Sequence, residues 1–315
     1  MIPWHIAMGG STINAAYKTG LLEAIIHSPN TASEFASDLG LHLVGTERVL
    51  ELMKELGLAE IKNGSYAASE SLQRFEKFPV GFQGVFNEID TIEGFLRSGA
   101  TSWQGSKTAE ERERNYKDTV IGMAEIWAPV AEELAGLDQR EPSHILDIGT
   151  GSGVWSLAMA QRFPSAHVTG LDFDEVLEAF KNRAADLGLS DRVHTIAGDV
   201  NELDLPRDKF DRVVIANVLR LESADRAQAL VELAADIVMP GGDLVIMDAW
   251  PADSDGARLG FAVYSLNLAI RTGTGKPHAV ETIQSWVEGS GLTVTNSTHV
   301  GPMARSGALF ASKPR

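Results

Sequence analysis

The chain has 315 residues, of which 44% are hydrophobic, a composition that describes a globular protein with room for two domains. Its formal charge of −16 at pH 7 excludes the basic footprint that nucleic acid or an anionic membrane surface requires. It has no cysteine, which excludes disulfides, thiolate nucleophiles and cysteine metal sites and suits a reducing compartment.

The opening, MIPWHIAMGGSTINAAYKTG, lacks a basic stretch followed by a long apolar run, so no signal peptide is expected. No uninterrupted apolar run is long enough to span a bilayer, and a cytoplasmic protein is the default expectation. Next, INAAYKTGLLEAIIH sets Ile13, Ala16, Leu21, Leu22, Ile25 and Ile26 on one helical face. TASEFASDLG begins with a capping box, Thr31 with Glu34, and stops at Gly40. A further amphipathic helix leads to Asn63-Gly64, a hairpin signal between two short strand-like runs. Helices followed by a hairpin is the order of a winged helix. Glu47, Glu51 and Glu55 on its third helix would repel phosphates, so packing or dimerisation is expected in place of DNA binding. These apolar helices exceed what a small module buries alone, which predicts a homodimer.

Residues 86–140 read as a helical connector, with a loop around SGATSWQGSKTAEERERN. From residue 141 the pattern changes. HILDIG, HVTGLDF, RVHTIAGDV, FDRVVIANV and GDLVIMDAW alternate with helices, the signature of a parallel sheet covered on both faces. A long helix near 257–272 precedes LTVTNSTHV and GALFASKP, two runs placed to form an antiparallel hairpin. The expected fold is therefore α/β: a Rossmann-like doubly wound sheet with a terminal antiparallel hairpin, behind a mainly helical, winged-helix-like domain over residues 1–85.

Within HILDIGTGSGVW, Gly149, Gly151 and Gly153 form G-x-G-x-G, and the third glycine of a dinucleotide fingerprint would fall at Val154. Glycines between strand and helix are expected to present bare backbone N–H groups to a ligand. Three acids sit at successive strand ends: Asp147, Asp172 and Asp199. A carboxylate accepts hydrogen bonds from both hydroxyls of a ribose, which suits Asp172, and Asp199 suits an adenine amine. A ligand made of amino acid, ribose and adenine fits this row better than one carrying a pyrophosphate.

Residues 144–250, through LDIGTGSG, GLDF, GDV, FDRVVIANVL and MPGGDLVIMD, resemble the S-adenosylmethionine (SAM) domain of class I methyltransferases. With the helical front end and FAVYSLNLAIRTGTGKPHAVETIQSWVEGSGL, most of the chain resembles the small-molecule O-methyltransferase family, whose N-terminal winged helix dimerises. The resemblance implies a SAM-binding catalytic domain over 141–315. Gly149, Gly151 and Gly153 would lie by the methionine portion, with Asp147 before them. Asp172 would hold the ribose, Asp199 and Val200 would flank the adenine, and Asn217 would line the methionine or acceptor side. Tyr264, Asn267 and Arg271 fall on the helix that lines the acceptor pocket in that family.

One position departs from the pattern. Where the oxygen-methylating members carry a histidine as general base, this chain has Arg220. A guanidinium does not act as a base near neutral pH, but it binds carboxylates and stabilises oxyanions. Methyl transfer to carbon, sulfur or nitrogen, or to an acceptor carrying an anionic group, rises accordingly. Oxygen methylation would need another base, for which Asp248, His278 and Glu125 are the candidates, while the nearby Glu222 sits in a loop or caps the helix after it. The alternative is a SAM-binding protein of the same scaffold that catalyses rearrangement, decarboxylation or hydroxylation without transferring methyl. No clustered histidine or aspartate pattern suggests a metal.

Overall fold

The computed structural model describes residues 3–76, 92–99, 101, 109–138, 140–200, 202–203, 205–250, 255–300 and 306–315. The chain divides into two compact units, residues 1–89 and 90–315.

The first unit begins with α1 (Pro3–Lys18), α2 (Leu21–His27), α3 (Ala32–Leu39) and α4 (Leu43–Glu55). The predicted capping box starts α3: Thr31 Oγ1 accepts from the Glu34 amide, and Glu34 Oε2 accepts from the Thr31 amide at 2.9 Å. Strands β1 (Ala59–Lys62) and β2 (Ser65–Ala68) then form the expected hairpin, with Lys62 opposite Ser65 across the Asn63-Gly64 turn. Both turn residues have positive φ, 52° and 83°, as a tight two-residue hairpin requires. Leu21, Leu22, Ile25, Phe35, Leu50, Met53 and Leu72, the last from α5 (Glu70–Glu76), close the core of this unit.

The second unit carries α6 (Ala109–Leu137), a helix that begins inside the stretch expected to be a loop. There follow β3 (His144–Ile148), α7 (Val154–Arg162), β4 (His167–Asp172), α8 (Asp174–Asp186), β5 (Val193–Ala197) and β6 (Phe210–Ala216). The unit ends with α9 (Ala224–Ile237), β7 (Val238–Ala249), α10 (Asp255–Thr272), α11 (Val280–Gly289), β8 (Thr293–Val300) and β9 (Ser306–Ser312). The sheet order is β5-β4-β3-β6-β7-β9-β8. The first five strands are parallel, and β9 runs antiparallel between β7 and β8. The predicted terminal hairpin is thus present, inserted second strand first.

Every residue from Val154 to Ala160 on α7 is buried, because α6 and α8 cover the sides that the sheet does not. A helix buried all round tolerates only apolar or small residues, which is the composition VWSLAMA. The opposite face of the sheet is packed by α9 and α11. Strand order reverses about β3, with β4 on one side and β6 on the other, and in such sheets the crevice beyond the strand ends at the reversal is the ligand position.

PGG at 240–242 lies inside β7. Phe210 pairs with Val238, but Arg212 pairs with Asp243, so Met239 to Gly242 bulge out of register. Among the described residues no helix is long and apolar enough to cross a membrane.

Candidate functional site

The loop after β3 is held by its own amides. Gly149 and Thr150 both donate to the Leu171 carbonyl at the end of β4, at 2.8 and 3.1 Å, and Gly153 donates to the Thr150 carbonyl at 2.7 Å. The Gly151 amide donates to Asp172 Oδ2 at 2.8 Å. Bare amides were expected here, and four are instead committed within the protein. Left-handed φ at Gly149, Gly151 and Gly153, 69°, 55° and 71°, explains the residue type. So does space: a Cβ on Gly153 would lie 2.3 Å from the Phe180 ring, and one on Gly149 2.6 Å from Val218.

Asp147, one residue before the end of β3, lies beneath this loop with 1% exposure. Its Oδ2 accepts from Thr150 Oγ1 at 2.8 Å and Ser156 Oγ at 2.5 Å. Its Oδ1 is buried and has no hydrogen-bond partner. Burial pushes the carboxyl up from 3.8 to about 6, against the pull of the Ser156 and Thr150 hydroxyls. An uncompensated acceptor at this depth is costly unless something donates to it. Neither hydroxyl was anticipated, although Thr150 and Ser156 follow the acid on the same loop and helix start and are small donors suited to a buried carboxylate.

Asp172 closes the neighbouring strand. Its Oδ1 accepts from the Phe173 amide at 2.8 Å while Oδ2 takes Gly151. These two amides hold the carboxylate between the glycine loop and the start of α8. The Gly198 amide donates to the Asp172 carbonyl at 3.0 Å, bringing the end of β5, and with it Asp199 and Val200, beside the end of β4. Both are partly buried, and Val200 packs against the α9 side of the core.

A second cluster forms where β6 and β7 end. Asn217 adopts φ 62° and its amide donates to the Met247 carbonyl at 2.8 Å. Arg220 lies in a short 3-10 turn, Leu219–Leu221. Its backbone amide donates to Asp248 Oδ2 at 3.1 Å, and its Nη1 donates to Asp248 Oδ1 at 3.0 Å and to Asn217 Oδ1. Asp248 is 2% exposed and also accepts from the Ala249 amide at 2.7 Å. It is therefore the counter-ion that fixes Arg220. The guanidinium lies 5.9 Å from the centre of the Tyr264 ring, within cation–π range. Burial holds the Tyr264 phenol above its usual range; Arg220 and Arg271 pull it down, and Asp248 pushes it up.

His278 is buried, at 5% exposure, where an imidazole in a polar loop would be solvated. Its Nε2 lies 3.1 Å from the Leu219 carbonyl. A carbonyl only accepts, so Nε2 carries the proton. The ring meets Trp286 edge to face at 5.1 Å, so His278 props the turn that carries Arg220. Asn267 and Arg271 lie partly buried on α10, one and two turns from Tyr264. The other two acids are engaged elsewhere. Glu222 pairs with Arg226 at 2.8 Å, and Glu125, with an 87% exposed side chain, faces Arg183 at 3.4 Å.

Residues 145–242 match a protein family described as a methyltransferase domain. The chain is 22% identical to the 3-hydroxy-5-methyl-1-naphthoate 3-O-methyltransferase of Streptomyces sahachiroi, over 96% of this chain and 91% of that protein. It is 25% identical to the L-tyrosine C(3)-methyltransferase of Streptomyces lavendulae, over 76% of this chain and 71% of the relative. An O-methyltransferase family protein from Burkholderia thailandensis shares the fold, with a TM-score of 0.69 at 18% identity, covering 96% of this chain and 94% of that one. The glycine loop, the strand-end acids and the matched domain lead to one conclusion: residues 145–242 are a class I methyltransferase domain, and the chain is a SAM-dependent methyltransferase.

Proposed function

We propose that the protein methylates a small molecule of specialised metabolism, with SAM laid across the ends of β3, β4 and β5. The buried Oδ1 of Asp147 carries this reading, because it is an acceptor without a donor beneath a glycine loop. The α-ammonium of SAM supplies such a donor. Asp172 is suited to the ribose hydroxyls, and Asp199 with Val200 to the adenine. Since the amides of Gly149, Gly151 and Gly153 are committed internally, those residues serve by keeping the loop low and free of side chains. SAM supplies an electrophilic methyl on a sulfonium, and the protein contributes orientation and exclusion of water.

The acceptor is assigned to the second cluster. Arg220 and Tyr264 are the groups facing it, with Asn267 and Arg271 further along α10. Asp248 and His278 act through Arg220, the first as counter-ion and the second by supporting its turn, so neither is offered as the base. The naphthoate and tyrosine relatives methylate oxygen and carbon respectively, as their names state, and both chemistries suit an aromatic acceptor bearing a hydroxyl. Residues 1–85 are proposed as a winged-helix dimerisation module.

Titration calorimetry with SAM and with S-adenosylhomocysteine tests the cofactor site. Binding of both is expected, and Asp172→Ala is expected to weaken each by roughly 100-fold, the worth of two charge-assisted hydrogen bonds. Binding unchanged by that substitution would remove the assignment. Transfer of labelled methyl to hydroxylated aromatic acids tests the reaction itself.

A further inference from the structure

The groups around Arg220 share a property that none has singly: toward the acceptor they donate. Arginine has donors only. Since Nη1 of Arg220 donates to Asn217 Oδ1, the oxygen of that amide is turned to the guanidinium and its NH2 is turned the other way. The Tyr264 phenol keeps its proton at neutral pH, because burial outweighs the opposing charges. The carboxylate beside them is tied down: Asp248 receives three N–H donors, two from Arg220 and one from Ala249. His278 is anchored behind the Arg220 turn, its Nε2 proton on the Leu219 carbonyl and its ring against Trp286, so that of its two nitrogens Nδ1 keeps the lone pair. Around Tyr264 two cations, Arg220 and Arg271, oppose one carboxylate, Asp248.

Resting on the methyl-transfer reading of this crevice, we infer that the acceptor arrives already ionised, as an acidic phenolate or enolate whose oxygen is received by Arg220, Tyr264 and the Asn217 NH2. The acceptor's proton leaves to water before binding. A lone pair on its oxygen, or on the enolate carbon, attacks the methyl carbon. The new bond to carbon forms as the carbon–sulfur bond breaks, and that electron pair stays on sulfur. The anion's negative charge and the sulfonium's positive charge disappear together, with no proton left to remove. Hydrogen bonds to a nucleophile temper its reactivity, so these donors select the ionised form and act mainly on KM.

The test uses the full-length protein carrying S-adenosylhomocysteine and titrated with 4-nitrophenol, whose anion is yellow. Binding is expected to lower the probe's ionisation midpoint by one pH unit or more, meaning that the anion binds at least tenfold tighter than the phenol. Arg220→Met and Tyr264→Phe are each expected to erode that preference. In turnover, the pH inflection of kcat/KM is expected to move with the acidity of the phenol supplied, and Arg220→Met to raise KM more than it lowers kcat. Equal binding of both forms, or no binding of either at millimolar concentration, overturns the inference. So does an inflection fixed at one pH across acceptors of different acidity, which identifies an enzyme base such as His278. Failure of the cofactor site is separable, since it appears as an absence of heat with S-adenosylhomocysteine.

Discussion

At the residue scale, the burial of Asp147 makes stability depend on pH. Its carboxyl rises from 3.8 to about 6 on burial, so between those values the native state binds more protons than the unfolded chain. Stability from this group is present below about pH 4 and is lost as pH rises through about 6. Its size is at most about 3 kcal/mol, at 1.36 kcal/mol per unit. Urea denaturation of the ligand-free protein should therefore show Asp147→Asn gaining on the wild type from pH 4 to pH 7. A constant gap between the two would mean that the carboxylate is ionised at no cost. Arg220 illustrates the limit of reading residues singly. Its presence at the expected base position was plain in the sequence, but the Asp248 partnership that orients it depends on β6 and β7 ending side by side. A guanidinium read as a loose anchor became one whose position is set by its own counter-ion.

At the scale of elements, the passage from β3 into α7 depends on an absence of side chains. Gly153→Ala combines a φ of 71° with a Cβ 2.3 Å from the Phe180 ring. Left-handed strain and overpacking together give an expected loss of about 2–4 kcal/mol, read as a lower denaturation midpoint. In the first unit, Thr31→Ala removes the capping box of α3 and should cost about 1 kcal/mol by the same measurement. The capping box and the Asn-Gly hairpin were legible because their partners lie within three residues. The bulge in β7 was not, since PGG in isolation reads as a turn. What makes it a bulge is the pairing of Val238 with Phe210 before it and Asp243 with Arg212 after it.

At the scale of the whole molecule, a buried ionic cluster ties the end of α6 to the far end of the sheet. Arg212 donates to Asp138 and, at 3.1 Å, to Asp243, which also takes Arg140 at 2.6 Å and Ser312 at 2.6 Å. Arg212→Met leaves buried carboxylates short of a counter-ion, and the expected destabilisation is about 3–5 kcal/mol. The folded fraction should still bind S-adenosylhomocysteine as the wild type does, because the cluster lies at the end of the strands opposite the crevice. For the proposed dimer, light scattering should give about 68 kDa, twice the 33.9 kDa of one chain; a mass of one chain at micromolar concentration would end that reading.

The sequence alone determined the alternation of strand and helix, the glycine loop, the row of strand-end acids and, through them, the class of cofactor. These depend on periodicity, turn chemistry and local spacing, which survive in one dimension. Only the tertiary structure decided that the loop's amides are used internally, that one oxygen of Asp147 is left without a donor, and that Asp248 and His278 serve Arg220. Those outcomes are pairings between strands and helices distant along the chain, and hydrogen-bonding groups have no partners until the sheet order brings them together.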